Sequence, residues 1–371
     1  MQALASQQIY ANDKLEQHLA HCLGCRNCER VCPSGVDYGY MLDHSRQLLR
    51  QQLPVAGLKK YLNQAGLKLT HNKNEQRYLQ TTLYYYQKSG LQGLLRISGM
   101  LRLLRLKRFD DLLPTINRYQ NFRPDYPGDT PVKGSLGLFV GCTGKLFDQS
   151  TLQKTIRLLQ KLGYDVVVPE QQTCCGALHQ HQGQLESTRS LAMQNIQAFA
   201  GLDTIIYIAS GCGAQLHEYS GLAWSDPEAA GQAESFEKSV KEITAFLSDE
   251  DLTQFQFKPL AKRVAIHTPC SMRNGLRQAD ASEAVLKHIP ELQVESISAE
   301  TGCCGAAGSY MISQARLASI IRQTTLDAIQ HLKADIISTT SIGCGLHLKA
   351  GLTNKTVYTH PVSLLVNQIA L

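Results

Sequence analysis

The chain has 371 residues, with 37 Lys and Arg against 31 Asp and Glu, and carries a formal net charge of +6 at pH 7. A chain of this length buries its own core without disulfide staples, and so mild a cationic excess indicates no nucleic acid or other particular partner. No apolar run approaches the roughly 18 residues that span a membrane. Because the first twenty residues are mixed polar, we also expect no signal peptide and hence a protein of the reducing cytoplasm.

All twelve cysteines fall into three groups of four, with none left over. The groups are Cys22, Cys25, Cys28 and Cys32; Cys142, Cys174, Cys175 and Cys212; and Cys270, Cys303, Cys304 and Cys344. Disulfides are one interpretation, but two groups contain adjacent cysteines and the expected compartment is reducing. Sets of four thiols suit tetrahedral sulfur sites, which bind zinc or iron-sulfur clusters. We therefore expect the chain to carry metal clusters.

The first group reads C-x2-C-x2-C-x3-C-P without deviation, from Cys22 to Pro33. This spacing wraps one turn of chain around a 4Fe-4S cluster, so that three thiolates meet one cluster while Pro33 ends the turn and sends the fourth away. Zinc is the alternative, but zinc sites usually split into two separated pairs. The run predicts a ferredoxin-type iron-sulfur site.

Cys32 leaves two possibilities open. In two-cluster ferredoxins the fourth cysteine of each run ligates the cluster of the other run, and this chain has a single run. Either Cys32 folds back to close a single cluster, or a second run belongs before Met1. The first five residues have no capping signal before them and favour the second interpretation.

A Leu-rich stretch over 91–113 holds the one local concentration of cations. On a helical wheel these cations fall all round the helix and not on one face. This pattern favours a packed linker helix over a helix at a membrane surface. The cations are Arg96, Arg102, Arg105, Lys107 and Arg108.

The remaining eight cysteines form an internal repeat. The first copy is Cys142-x31-Cys174-Cys175-Gly176-x35-Cys212 and the second is Cys270-x32-Cys303-Cys304-Gly305-x38-Cys344. Apolar runs predict strands over 137–140, 165–168 and 204–208 in the first copy, and over 264–266, 292–297 and 335–338 in the second. Helices are predicted between them, over 151–162 and 185–199, and over 281–289 and 314–329.

Strands that alternate with helices predict a parallel α/β sheet in each copy. The loops at the carboxyl ends of such strands lie together at one edge of the sheet, where ligands bind. Every cysteine of the repeat follows the end of a predicted strand, so four thiols of each copy should meet on one rim. The flanking glycines would allow sharp turns and a close approach of backbone N–H groups.

These motifs resemble a known family. Both copies resemble the cysteine-rich CCG domain, and nearly the whole chain resembles the iron-sulfur subunit of glycolate oxidase and related flavin-linked 2-hydroxy-acid dehydrogenases. The resemblance is carried by CLGCRNCERVCPSG at 22–35, SGCGA at 210–214 and GCCGA at 302–306. It implies a helical ferredoxin-type segment with linker helices (1–130) followed by two parallel α/β CCG domains (131–255 and 256–371). Family members carry two ferredoxin-type runs, so the single run here is a departure.

A second departure concerns the cluster type. In the heterodisulfide reductase relative a C-x2-C pair supplies a fifth thiol to a non-cubane cluster, whereas here Gln215 and His347 occupy that position. This absence puts the non-cubane cluster and disulfide-reducing chemistry in doubt. His347 and His267 are candidate fifth ligands or, alternatively, packed donors to a sulfur.

No loop for a flavin, nicotinamide or nucleotide follows any predicted strand, and 141–146 only approximates a phosphate loop. Catalysis must then lie in a partner. The resemblance implies that an FAD-binding subunit oxidises a 2-hydroxy acid such as glycolate or D-lactate, and that clusters in this chain carry the electrons onward, toward a membrane quinone. It leaves room for a further small subunit and for a peripheral membrane contact. Every cysteine would be a ligand, and no residue a catalytic acid, base or nucleophile. A disulfide reductase with a catalytic CCG cluster and a zinc-holding structural protein are the alternatives.

Overall fold

The computed structural model describes residues 1–53, 61, 66–69, 72–352 and 356–370. The N-terminal part is helical, and most residues between Leu53 and Asn72 lie outside the described residues. The helices are α1 (Gln2–Ala5), α2 (Asp13–Ala20), α3 (Asn27–Arg30), α4 (Tyr38–Gln52), α5 (Lys73–Lys88), α6 (Leu91–Ile97), α7 (Met100–Leu103) and α8 (Lys107–Leu112). Leu4, Leu19, Leu42 and Leu49 form a small core that holds α1, α2 and α4 together.

The prediction of one packed linker helix over 91–113 is wrong. The chain forms three short helices there, α6 to α8, because the backbone turns left-handed at Gly99 (φ 71°) and again at Arg105 (φ 57°). Many of the apolar side chains are exposed, since three short helices cannot turn every apolar residue toward the rest of the protein.

The first copy of the repeat is a parallel sheet with helices on both faces. Its elements are β1 (Asp125–Tyr126), β2 (Gly134–Phe139), α9 (Cys142–Phe147), α10 (Gln149–Lys161), β3 (Tyr164–Val167), α11 (Ala177–His181), α12 (Leu185–Ala198), β4 (Ile205–Tyr207), α13 (Ser210–Leu216), α14 (Pro227–Ser239), β5 (Val240–Glu242) and α15 (Ile243–Ser248). Among the described residues the strand order is β1-β3-β2-β4-β5. All pairs are parallel except the edge pair of β1 and β3.

The second copy repeats this topology. Its elements are β6 (Arg263–Ile266), a π-helical turn (Ser271–Leu276), α16 (Ala281–Leu286), β7 (Gln293–Ser296), α17 (Tyr310–Ser313), α18 (Ala315–His331), β8 (Ile336–Ser338), α19 (Ile342–Lys349), β9 (Val357–Thr359) and α20 (Pro361–Gln368). Short 3-10 turns lie at Leu252–Gln254 and Ala299–Thr301. The order is β7-β6-β8-β9, with every described pair parallel.

The two copies share one hydrophobic core. Helices α10, α15, α16 and α20 pack together between the two sheets, and their buried side chains belong to a single cluster with those of both sheets. Leu152, Ile156 and Leu159 show why α10 lies there: they recur at spacings of four and three, and so form one apolar face. Each such side chain contributes about 1.5–3 kcal/mol when fully buried.

The fold class is confirmed: a helical N-terminal segment precedes two similar parallel α/β copies. The predicted strands and helices of the repeat are present within a few residues of their expected bounds. Strands β1, β5 and β9 are not foreseen, because two or three residues are too few to show a period. The domain boundaries after residues 130 and 255 stay a prediction, since the core itself is continuous across the second.

Candidate metal centres

The first copy brings its four cysteines together at the carboxyl ends of its strands. Cys142 begins α9 after β2, Cys174 and Cys175 follow β3, and Cys212 lies in the first turn of α13 after β4. The sulfurs of Cys142 and Cys174 are 3.8 Å apart, and the Cys175 thiol hydrogen-bonds with those of Cys174 and Cys212. All four are buried. The structure of the first copy therefore has its four thiols together at one edge of the sheet, as the sequence pattern predicts.

The second copy builds the same arrangement. Cys270 precedes the π-helical turn, Cys303 and Cys304 follow β7, and Cys344 lies in α19. The Cys303 thiol hydrogen-bonds with Cys270 and Cys304, and Cys304 hydrogen-bonds with Cys344. Cys304 and Cys344 are buried, whereas Cys270 and Cys303 are partly accessible.

The four thiols of each copy do not ionise alike. Hydrogen bonds from Cys142 and Cys175 hold the pKa of Cys174 well below its ordinary value, despite its burial. The same bond and burial raise the pKa of Cys142. In the second copy Cys270 and Cys304 lower the pKa of Cys303 in the same way. The first cysteine of each pair is thus the readiest thiolate, and metal binding must displace protons from its neighbours.

Backbone amides approach the sulfurs of all three groups. The amide of Gly176 lies 3.5 Å from the sulfur of Cys174, that of Gly305 lies 3.3 Å from Cys303, and that of Gly24 lies 3.4 Å from Cys22. Gly176 and Gly305 have φ of 90° and 83°, a left-handed conformation that other residues rarely adopt. Such N–H groups stabilise charge on cluster sulfur and set its potential.

The second glycine of each Gly-Cys-Gly has a packing role that the sequence analysis missed. A Cβ on Gly213 would lie 2.1 Å from the ring of Tyr207, and a Cβ on Gly345 would lie 2.2 Å from the ring of Tyr358. Tyr207 is fully buried, whereas Tyr358 is half-buried. Each ring therefore presses on the helix that carries the last cysteine of its copy and fixes the position of that helix.

Two histidines lie near the second copy's site, where the charge of Cys303 acts on both. The Nδ1 atom of His267 lies 3.2 Å from Thr339 Oγ1, and its Nε2 is buried without a hydrogen-bond partner among the described residues. His347 Nε2 lies 3.1 Å from the carbonyl oxygen of Ala318 and so must carry the proton, since a carbonyl only accepts. Burial lowers the pKa of both imidazoles to about 4, so both are neutral. Whether either is a fifth ligand stays a prediction.

His179 is a third histidine at these sites, and the sequence analysis missed it. Its side chain is buried and hydrogen-bonds with the Cys174 thiol. It lies in α11, three residues after Gly176, where the second copy has Gly308. Because the repeat does not preserve it, no pattern in the sequence marked it.

The N-terminal group holds three of its thiols together. The charges of Cys22 and Cys28 act on Cys25, and Tyr38 hydrogen-bonds with Cys22. The Cys32 thiol instead accepts hydrogen bonds from the backbone of Val36, Ser34 and Gly35, which lower its pKa. This arrangement agrees with a turn that sends the fourth thiol away from the first three.

The N-terminal group lies against the second copy's site. Asn274, in the π-helical turn after Cys270, donates a 2.7 Å hydrogen bond to the carbonyl oxygen of Cys25. Tyr310 donates one of 3.3 Å to the carbonyl oxygen of His21. The charge of Cys303 acts on Cys25, and the charge of Cys25 acts on Cys270. Two of the three cysteine groups are therefore neighbours.

The same segment is also fixed to the first copy. Arg26 forms an ion pair with Glu218, just beyond α13. Gln180 donates a 2.8 Å hydrogen bond to Asp43 of α4 and accepts one of 2.8 Å from Gln215. Gln215 follows Cys212 by three residues, so the polar chain runs from the first copy's site to α4.

The sites of the two copies face each other. Helix α9, which begins at Cys142, packs on α19, which carries Cys344, and α13 packs on the π-helical turn after Cys270. The Ser210 amide donates a 3.0 Å hydrogen bond to the Thr340 carbonyl, and the hydroxyls of Ser271 and Ser210 are also 3.0 Å apart. The three cysteine groups thus lie in one continuous region of the molecule.

This donor set fits iron-sulfur clusters. Each copy offers four thiols and at least one backbone N–H to sulfur, which are the groups such clusters need. Within the described residues no three His, Cys, Asp or Glu side chains are arranged around a point where one metal ion could sit. In that same part of the chain no helix is long and apolar enough to cross a membrane.

Comparison with known proteins agrees with the repeat. The family model "CCG: Cysteine-rich domain" matches residues 136–217 and 264–349. The chain is 33% identical over 380 residues to the probable glycolate oxidase iron-sulfur subunit of Bacillus subtilis (strain 168), covering 99% of this chain and 86% of the relative. It is 28% identical to the glycolate oxidase iron-sulfur subunit of Escherichia coli (strain K12), covering 92% and 80%. It is 26% identical to lactate utilization protein A of Geobacillus thermodenitrificans (strain NG80-2), covering 62% and 98%.

Proposed function

This chain belongs to the family of glycolate oxidase iron-sulfur subunits, and we propose that it carries electrons from a separate FAD-bearing subunit to a later acceptor. The partner oxidises a small 2-hydroxy acid, glycolate or D-lactate, and a membrane quinone is the acceptor. The chain is the electron-transfer subunit of this complex and holds no catalytic acid, base or nucleophile. A further small subunit completes the complex.

One observation carries the proposal: the three cysteine groups lie next to one another. The N-terminal group contacts the second copy through Asn274 and Tyr310, and the helices that carry the cysteines of the two copies pack together. Electron transfer requires closely spaced carriers, whereas a structural metal site needs no neighbour. The arrangement therefore supports a relay better than a set of independent structural sites.

The residues that would hold these clusters are eleven of the twelve cysteines, and Cys32 would bind a different cluster. Cys22, Cys25 and Cys28 would hold a 4Fe-4S cluster, and each copy would hold another through its four thiols. A bound cluster supplies a one-electron carrier whose potential depends on hydrogen bonds and burial. The chain's own contribution is to release the thiol protons, to donate the amides of Gly24, Gly176 and Gly305 to sulfur, and to exclude water from the buried thiols.

The second candidate is a disulfide reductase with a catalytic CCG cluster. A fifth thiol three residues after Cys212 or Cys344 would favour it, but Gln215 and His347 stand there. Gln215 is engaged with Gln180, and His347 with the Ala318 carbonyl. These contacts indicate that Gln215 and His347 hold α13 and α19 in position and do not replace a fifth sulfur ligand. Turnover of a disulfide by the isolated chain would favour this candidate.

The test uses the full chain, prepared without oxygen, alone and with its flavoprotein. Alone, it should contain iron with matching acid-labile sulfide, and should not oxidise glycolate or D-lactate with an artificial acceptor. With the flavoprotein, the hydroxy acid should bleach the broad visible absorption of its clusters, and the two chains should co-purify. Stoichiometric zinc without sulfide, or substrate oxidation by this chain alone, would overturn the proposal.

Variants assign the ligands. Changing Cys174, Cys175, Cys303 or Cys304 to Ser should lower the iron content of each variant. Cys212→Ser and Cys344→Ser should also impair transfer to the final acceptor, while the flavin of the partner stays reducible by substrate. Unchanged transfer in both of the latter variants would contradict the proposed relay.

A further inference from the structure

The positive charge of this chain is concentrated in one segment. Residues 76–109 contain seven cations and no acidic residue, whereas the whole chain has a net charge of only +6. The cations are Arg77, Lys88, Arg96, Arg102, Arg105, Lys107 and Arg108. The rest of the chain is therefore close to neutral, and this segment supplies a local field that attracts anions.

The same segment exposes apolar side chains. Ile97 is 89% exposed, Leu103 77% and Leu94 64%. Leu91, Met100, Leu104, Leu106 and Phe109 are also exposed by two fifths or more. Proteins rarely leave so many large apolar side chains of one short segment exposed unless the segment contacts a partner. We call these three short helices, α6 to α8, the exposed apolar patch.

Contacts on the inner side hold the patch in place. Asp110 is buried and accepts hydrogen bonds from Tyr86 (2.9 Å), Gln92 (2.7 Å) and Arg96 (2.6 Å), which tie α5, α6 and α8 together. Arg108 donates to the carbonyl oxygen of Met311 (2.5 Å) and to Ser319 (3.2 Å) in the second copy. These contacts fix the inner side of the patch against the protein, so its apolar side chains remain on the outer surface.

Two cations at the surface of the patch keep their charge uncompensated. Arg96 pairs with Asp110, and Lys107 pairs with Asp111. Arg102 and Arg105 are exposed and form no ion pair among the residues that the structure describes. Arginines beside exposed Leu and Ile side chains are typical of segments that lie in the interface of an anionic membrane.

We propose that the exposed apolar patch docks this protein onto an anionic lipid bilayer. The aliphatic side chains enter the boundary of the acyl chains, while Arg102 and Arg105 contact the phosphates. A lipid surface of uniform negative charge suits Arg102 and Arg105, which are exposed and have no acidic partner among the described residues. The absence of any acidic residue in 76–109 also complements a uniformly negative surface.

The exposed apolar patch lies next to the second copy's cysteine site. Helix α8 packs on α19, and Lys107, Arg108 and Asp111 line a cavity of about 290 Å³ against His347. The charge of Cys303 acts on His347, so the cavity lies near the second copy's site. Docking would hold the second copy's site toward the membrane, where a quinone would accept electrons. This last consequence, unlike the docking itself, rests on the proposed function.

Sedimentation with lipid vesicles tests the docking. The full chain is mixed with vesicles of phosphatidylcholine, either alone or with added phosphatidylglycerol, and should sediment with the anionic vesicles only. Arg102→Gln and Arg105→Gln should each weaken binding about five-fold, as expected for one cation near an anionic surface. The matched controls Lys238→Gln and Lys258→Gln, also exposed, should bind as the wild type does. Ile97→Asp should abolish binding, whereas Val132→Asp, at an exposed aliphatic position in the first copy, should not.

Several outcomes would overturn the docking proposal: no binding to anionic vesicles, equal binding to neutral ones, or unchanged binding by Ile97→Asp. Loss of co-purification with the flavoprotein in Ile97→Asp would show a protein interface instead. Cluster reduction by hydroxy acid, followed in detergent-free solution with the flavoprotein, should be normal in every docking variant. A failure of that reduction in the wild type would count against the proposed function and leave vesicle binding unaffected.

Discussion

Asn274 donates a 2.7 Å hydrogen bond from its side-chain amide to the carbonyl oxygen of Cys25, across 249 residues of sequence. This bond joins the turn after the first cysteine of the second copy to the middle of the ferredoxin-type run. It makes the two sites neighbours. The position of the N-terminal group therefore depends on contacts that the second copy supplies.

Asn274→Asp is expected to loosen this junction, because a carboxylate cannot donate to the carbonyl. Loss of one hydrogen bond of ordinary strength, about 1 kcal/mol, corresponds to about a five-fold change in local opening. Hydrogen exchange of the amides from 22 to 32 should speed up by about that factor, while exchange in β2 and β4 stays the same. Unchanged exchange would mean that Asn274 contributes nothing to the junction.

The Gly-Cys-Gly motifs offer a prediction with a built-in control. Gly213→Ala and Gly345→Ala would drive a Cβ into Tyr207 and Tyr358, and should cost about 1–3 kcal/mol of stability, as overpacking does. Gly211→Ala and Gly343→Ala meet nothing within 4 Å and should be tolerated. Urea unfolding and iron per chain provide the measurements. Tyr207→Leu should partly rescue Gly213→Ala, since it removes the ring; equal effects of all four alanines would contradict this account.

The N-terminal run predicts different results for two cysteines of one motif. Cys28→Ser should remove the N-terminal cluster, because Cys28 lies with Cys22 and Cys25. Cys32→Ser should keep a cluster on the other three thiolates, because Cys32 bonds to backbone amides instead. Electron paramagnetic resonance and iron analysis of both variants separate the outcomes. Equal loss of the cluster would show that Cys32 closes it.

Glu242 predicts a dependence of stability on pH. Burial raises its pKa to about 7, although Thr244 and Ala245 donate hydrogen bonds to it. A carboxyl group whose pKa is higher in the folded state stabilises that state at low pH. This contribution to the free energy of unfolding is complete below about pH 4.5, is lost as the pH rises through 7, and amounts to about 3 kcal/mol. Unfolding in urea at pH 5 and pH 8 should therefore show a larger loss of stability for the wild type than for Glu242→Gln. Glu234→Gln, at an exposed position, serves as the control, and the same pH dependence in all three proteins would refute the assignment.

The sequence predicted the parts of the molecule that repeat. Cysteines that follow strand ends must share a rim in any parallel sheet, so Cys142 and Cys212 could be placed together without coordinates. The α/β repeat followed from its apolar strands. The strands themselves were visible because their buried residues are Val, Ile and Leu.

The contacts between repeated units could not be predicted. Asn274, Tyr310 and Glu218 look like ordinary polar residues, and their roles arise only when distant segments meet. His179 lacks a counterpart in the second copy, so the repeat gave no signal for it. The exposed apolar patch was also misjudged, because a helical wheel assumes one straight helix and the chain bends at Gly99 and Arg105.

The shared core has a consequence for how the protein matures in the cell. The hydroxyls of Thr151 and Ser363 are 2.7 Å apart, although 212 residues separate them, because α10 of the first copy packs on α20 of the second. At about 5–20 residues per second, a ribosome needs on the order of 10–40 s to synthesise that interval. For that interval the apolar face of α10 has no partner from the second copy, although the thiols of the first copy already pack in a core of first-copy residues. Chaperones that cover this face of α10 during synthesis should therefore raise the yield of folded protein.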